Sequence, residues 1–170
     1  MVVRHKKNIR HYFTVDTGWN TALSYWKDID TLNPFTDIIF AIKHKDIEVR
    51  LVYMWDEFEI AIRRFKKCNL IVLESTEYWD KSLKSVVSHK EGDIHTLSIL
   101  IGGYCNIARK LNIPFILKLA REWKGNMTDA QVRRRVKYIT GIDYPNPHIC
   151  DSVGMGLSLQ KRFNVRRRKI

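Results

Sequence analysis

Residues 11–26 read HYFTVDTGWNTALSYW, an aromatic and β-branched run broken only at Thr17-Gly18-Trp19-Asn20. That composition on both sides of a tight turn predicts two strands joined as a hairpin. One residue in it is out of place. Asp16, between Val15 and Thr17, is a carboxylate inside an apolar strand. Asp16-Thr17-Gly18 also fits a plain turn signal. If the acid is buried, it is costly unless it is paired or bound to a metal.

Working outward, residues 35–42 (FTDIIFAI) follow an Asn33-Pro34 turn and read as a third strand. Residues 45–67 change period. Ile47, Leu51, Met54, Trp55, Phe58, Ile62 and Phe65 recur at steps of three and four, one face of a helix. Residues 69–74 (NLIVLE) are a short apolar run ending in Glu74, as expected of a strand buried on both faces. Residues 75–92 are polar and irregular, with the pair Tyr78-Trp79. Asp93 is the expected N-cap of a helix reaching Leu111, with Gly102-Gly103 inside it. Residues 114–119 (PFILKL) predict another buried strand. Thr128 and Gln131 form a capping box for the next helix, which Gly141 ends. Residues 145–163 predict a last helix carrying Ser152, Gly154, Gly156 and Ser158.

The order is β-β-β-α-β-α-β-α-α. Strands joined by short turns are expected to be antiparallel, and those separated by helices parallel. The fold class is therefore α/β, a mixed five-stranded sheet (three antiparallel strands, then two parallel) flanked by helices. With no repeat and no linker, residues 1–170 read as a single domain.

Composition narrows the function. There are 30 Lys+Arg against 18 Asp+Glu, a net charge of +12. Polyanions are the usual partner of such a chain, with counterion release from phosphates the usual energy source. Anionic lipid would prefer a basic amphipathic helix, and none stands out. No apolar run approaches the ~20 residues of a membrane span. The opening MVVRHKKNIRHYF lacks the apolar stretch of a secretory signal, so the expected location is cytoplasmic. Cys68, Cys105 and Cys150 are odd in number and widely spaced, which disfavours a disulfide framework or a zinc ribbon.

A second acid shares the oddity of Asp16. Glu74 ends the buried strand, and in a mixed sheet the first and fourth strands can be central neighbours. His148 and Asp151, at i and i+3 in HICDSVGMGL, face one way on a helix. Together these residues offer three carboxylates and an imidazole to one place. Carboxylates so close need a counter-cation. Hard oxygen ligands suit magnesium or manganese. Each residue alone has a plainer reading: a strand-end acid at Glu74, a surface histidine at His148, an ion pair of Asp151 with Lys161 or Arg162.

With these residues in view, the chain resembles the RuvC-type Holliday junction resolvases of the ribonuclease H-like superfamily, compact bacteriophage members in particular. The carriers are VDTG (Asp16 to Gly18), VLES (Glu74), His148-x-x-Asp151 on the terminal helix, and Ala120-Arg121-Glu122-Trp123-Lys124, similar to the family's Ala-Arg-x-x-Lys. The likeness runs from Tyr12 to Phe163. Asp129 stands where a basic residue is usual, and Glu77 stands near the place of a stacking aromatic.

The resemblance implies a ribonuclease H-like sheet and a metal-dependent endonuclease. That enzyme cuts four-way junctions or other branched DNA by paired nicks, leaving 5′-phosphate and 3′-hydroxyl ends. It implies two Mg2+ ions per site, with Mn2+ able to substitute, held by Asp16, Glu74, His148 and Asp151. Lys124 would contact the neighbouring phosphate. Tyr78 and Trp79 would stack at the branch point. Arg133 and a basic tail at 164–170, with Arg166, Arg167 and Arg168, would track phosphates. It further implies a homodimer through helix 93–111, no membrane, no small-molecule cofactor, and the host cytoplasm if phage-encoded. Alternatives are a ribonuclease H-like nuclease on RNA–DNA hybrids or flaps, and a non-catalytic junction-binding module.

Overall fold

A computed structural model of the chain describes residues 9–75 and 93–163. Strands β1 (Arg10–Asp16), β2 (Asn20–Asp28) and β3 (Phe35–Phe40) form an antiparallel meander. β4 (Leu70–Ser75) joins β1 in parallel, and β5 (Phe115–Leu119) joins β4 in parallel. The strand order is β3-β2-β1-β4-β5, so the first and fourth strands are central neighbours, as expected. Ile71, Val72 and Leu73 of β4 are wholly buried. That is what an uninterrupted apolar run requires of a strand covered on both faces.

The alternation of side chains along a strand separates two cores. Phe13, Val15, Leu23, Ile71 and Leu73 face helices α1 (Ile47–Arg63) and α2 (Asp93–Lys110). Tyr12, Trp26 and Val72 face the other way, toward the one-turn helix α3 (Ala120–Trp123), α4 (Asp129–Thr140) and α5 (Pro147–Leu159). The Thr128–Gln131 capping box forms, and Gly141 ends α4 in the left-handed conformation at φ 75°.

The structure departs from expectation at four places. Asp93 is the first helical residue of α2, one position beyond the N-cap foreseen for it. α5 is shorter than 145–163. Asn146 caps it by accepting from the N–H groups of His148 and Ile149, and Pro147 takes the first helical position. α3 is one turn long, too short to show a period. β5 is an edge strand of the sheet, and Ile116 and Leu117 are each 48% exposed, although PFILKL reads like a covered strand. Apolar content does not distinguish a central strand from an edge.

The glycines have a specific use. A Cβ on Gly156 would lie 2.1 Å from Trp26, and one on Gly154 would lie 2.7 Å from Trp123. The small residues of α5 thus let it settle against the Trp26 ring of β2 and the Trp123 ring of α3. Gly103 plays the same part in α2, where a Cβ would sit 1.9 Å from Trp55 of α1. Gly102 has nothing within 4 Å. The close approach allowed at Gly103 is therefore to a ring of the same chain.

Candidate active site

α5 is fastened to the sheet by polar bonds within an otherwise apolar layer. Thr14 donates to the Ser152 carbonyl at 2.7 Å, the Ser24 and Ser152 hydroxyls lie 2.7 Å apart, and Trp26 Nε1 donates to Thr14 Oγ1 at 2.9 Å. All are buried, where a satisfied network fixes one arrangement. Ser152 is next to Asp151 and one turn from His148. The lock therefore sets both over the C-terminal ends of β1 and β4. Thr17 donates to the Glu74 carbonyl at 2.6 Å, tying those two strand ends together.

One ligand oxygen each from Asp16, Glu74 and Asp151 falls within 4.8 Å of the others. These acids come from β1, β4 and α5, segments far apart in the chain. Asp16 and Asp151 are buried and Glu74 is half-buried. His148 Nδ1 lies 2.8 Å from Asp16 Oδ2. Lys124, just after α3, donates to Asp151 Oδ2. The alternative partners Lys161 and Arg162 are not the ones Asp151 takes; Arg162 pairs with Asp30. The four residues expected to converge do so, and Lys124 joins them.

Trp123 completes the surround, its Nε1 donating to Glu74 Oε2 at 3.0 Å. Sequence reasoning passed over it. The signal available was its place beside Lys124, since a buried indole needs an acceptor.

The electrostatics are those of a negative trap. Burial pushes the Glu74 carboxyl up to about 7, and Asp16 adds to the rise. Burial likewise raises Asp151 to about 6 against the opposing pull of Lys124. Asp16 is also raised, by burial, with His148 and Lys124 working the other way. Its hydrogen bond to Asp16 holds the His148 imidazole above its usual range. Lys124 is raised as well: burial disfavours its charge, but Asp151, Glu74 and Asp16 outweigh that. The site stores unfavourable negative charge that a cation would relieve.

A divalent ion fits the residues present. The three clustered donors, Asp16, Glu74 and Asp151, are carboxylate oxygens, the type hard cations prefer. Asp151 Oδ1 is buried and has no hydrogen-bond partner. A buried lone acceptor calls for an explanation, and an ion in the trap supplies one.

No protein-family model matches the sequence, and no curated protein matches it. Solved structures do match. Thermus thermophilus RuvC in complex with a Holliday junction substrate superposes at TM-score 0.66 and 12% identity, covering 91% of this chain and 94% of that one. The chain has the RuvC fold. A second Thermus thermophilus RuvC structure gives TM-score 0.63 at 15% identity, over 89% and 93% of the two chains. The yeast mitochondrial Holliday junction resolvase gives 0.50 at 13%, over 91% and 80%. On this RuvC-like framework the acids lie where β1, β4 and α5 meet.

Other residues singled out from the sequence stand elsewhere. Arg133 is on the exposed face of α4, bonded to Asp143 at 2.7 Å, with Lys137 on the same carboxylate at 3.0 Å. Beside it Arg134, Arg135 and the 82%-exposed Tyr138 line a shallow basic surface with Met127 and Gln131. Tyr78 and Trp79, and Arg166, Arg167 and Arg168 of the tail, lie outside the described residues. Among the described residues, no helix is long and apolar enough to cross a membrane.

Proposed function

We propose that the chain is a metal-dependent endonuclease that resolves Holliday junctions or other branched DNA by paired nicks. One observation carries the reading. Three carboxylates from separate segments meet within 4.8 Å at the strand ends of a RuvC-like sheet, and one of them keeps a buried oxygen without a partner.

Asp16, Glu74 and Asp151 are the proposed metal ligands, with His148 as a further ligand or as the group that orients the attacking water. Two Mg2+ ions, replaceable by Mn2+, would activate water and stabilise the departing 3′-oxygen, leaving a 5′-phosphate. The chain's own part is to hold the acids together. Asp16, buried on the central strand, would be a metal ligand. Thr17 and Trp123 fix the Glu74 end of β4. Lys124 is anchored by Asp151 in the metal-free protein. From there Lys124 Nζ would be placed to contact the phosphate next to the site.

DNA binding is assigned to Arg133, to Tyr78 and Trp79 as stacking groups, and to Arg166–Arg168 in the tail. Residues 1–170 form one nuclease domain in this reading, working in the cytoplasm, with no small-molecule cofactor. A four-way junction is nearly two-fold symmetric, so paired cuts suit a symmetric dimer. α2 offers a face for it. Ile99 is 53% exposed and Gly102 opens to space one turn along.

The test is a gel assay with labelled four-way junction, flap, Y-form, linear duplex and RNA–DNA hybrid, with and without Mg2+. Paired nicks in the junction that require Mg2+ are expected. Cleavage confined to the hybrid, or none of any substrate, overturns the proposal.

A further inference from the structure

The rim of the sheet that carries the acids continues to a second concave site. β1 and β4 end at this rim, the β1–β2 turn lies on it, and β3 ends on it, because Asn20 pairs with Phe40. Beyond Phe40 the chain forms a cavity of about 520 Å³ lined by Trp19, Asn20, Ala41, Ile42, Lys43, His44, Lys45 and Arg50. Strands are spaced ~4.8 Å apart, so β3 stands roughly 10 Å from β1. That is about three nucleotide steps at ~3.4 Å each.

The chemistry of the cavity is anionic recognition. The Arg50 guanidinium sits over the Trp19 ring, its Cζ 3.8 Å from the centroid. That contact restrains a planar fork suited to bidentate phosphate contact. Arg50 Nε is buried and has no hydrogen-bond partner. Among the described residues, Lys43 and Lys45 make no ion pair. The acids at hand are Asp46, which faces His44 at 3.8 Å, and Glu48 in the first turn of α1. Neither takes Arg50. Trp19 follows Asp16 by three residues, and its carbonyl accepts from Ala41 N at 2.9 Å. The turn that leaves the acid site is therefore also one wall of the cavity.

We propose that this cavity is a phosphodiester subsite for the substrate strand as it passes over the rim from the acid site, with Arg50, Lys43 and Lys45 holding backbone phosphates. The subsite rests on the nuclease reading. It lies on the opposite face of the sheet, beside α1, so the strand crosses the sheet end rather than following α4 alone.

The experiment compares three proteins in binding to labelled four-way junction with Ca2+ replacing Mg2+, over a salt series. They are the unaltered chain, Lys43→Ala/Lys45→Ala, and Lys66→Ala/Lys67→Ala. The last pair lies at the opposite end of the sheet, between α1 and β4, and removes the same charge. The Lys43/Lys45 variant is expected to bind about 10-fold more weakly, with a salt slope smaller by roughly 1.4–1.8 for two lost phosphate contacts. The Lys66/Lys67 variant is expected to match the unaltered chain. Equal weakening in both variants makes the effect one of net charge and overturns the subsite. Unchanged affinity and slope in Lys43→Ala/Lys45→Ala overturns it as well. If the unaltered chain neither binds the junction nor cuts it with Mg2+, the nuclease reading itself fails and the subsite falls with it.

Discussion

The two oxygens of Asp151 have different fates. Oδ2 takes the Lys124 ammonium, while Oδ1 is buried without a partner. An ion pair meant only for stability would satisfy both. A half-satisfied carboxylate close to two other acids is what the proposed metal-ligand role calls for. Asp16 is the sharpest probe, since Asp16→Asn removes one charge and leaves the shape. Cleavage should fall by about a thousandfold or more, the scale of several kcal/mol of lost electrostatic stabilisation. Junction binding measured in Ca2+ should persist. Full cleavage by this variant would refute the assignment. Lys124→Ala should slow single-turnover cleavage by roughly 100- to 1,000-fold, in the range of removing one donor aimed at developing charge. Its DNA affinity should hardly change. A normal single-turnover rate would return Lys124 to a role as partner of Asp151.

At the scale of elements, glycines and indoles are matched pairs. Trp26 is wholly buried, stacks on Tyr12 with centroids 5.8 Å apart, and lies against Gly156. Gly156→Ala overfills that space and should cost about 1–3 kcal/mol. At about 2–4 °C per kcal/mol, thermal unfolding should show a Tm lower by roughly 2–12 °C. Gly103→Ala should also destabilise by displacing Trp55 from its bond to the Leu100 carbonyl. Gly102→Ala meets nothing, and replacing a mid-helix glycine there should stabilise by about 0.5–1 kcal/mol. A Gly102→Ala protein that loses as much as Gly103→Ala would contradict this division. The sequence announces that α2 and α5 carry small residues, but not what fills the space, because the indoles come from distant segments. The same limit hid Trp123 and the edge position of β5. Local period shows what an element is, and neighbours show how deep it lies. Asp16, Glu74, His148 and Asp151 were legible because a charge inside an apolar strand, or repeated at i and i+3, is anomalous wherever the chain runs.

For the molecule as a whole, the RuvC-like framework persists at 12–15% identity. A framework can outlast its sequence when what must be kept is a pattern: alternating strands, covered faces, and acids at strand ends. The buried acids make stability depend on pH and, in the proposed metal reading, on cations as well. The Glu74 and Asp151 carboxyls, at about 7 and about 6, are raised above their unfolded values by burial and mutual repulsion. Such groups favour the fold at low pH, where they are protonated in both states. Their contribution is lost as pH rises through the folded values. His148, raised by its bond to Asp16, acts in the same direction. Glu59, lowered by Lys110 and Arg63, acts in the opposite direction and is lost as pH falls. The metal-free protein should therefore be most stable on the acid side of neutrality and weaken from pH ~5 to ~8. In the proposed reading divalent ions bind only the folded, ionised site, so they should restore the loss by mass action. Thermal unfolding with and without millimolar Mg2+ should show a clear rise in Tm at pH 8 and almost none at pH 5. Asp16→Asn, with one charge fewer in the trap, should unfold at a higher temperature than the unaltered chain at pH 8 without metal, and should respond little to Mg2+. A Tm indifferent to Mg2+ at pH 8, or an Asp16→Asn protein less stable than its parent under those conditions, would mean that the three acids do not form a cation trap.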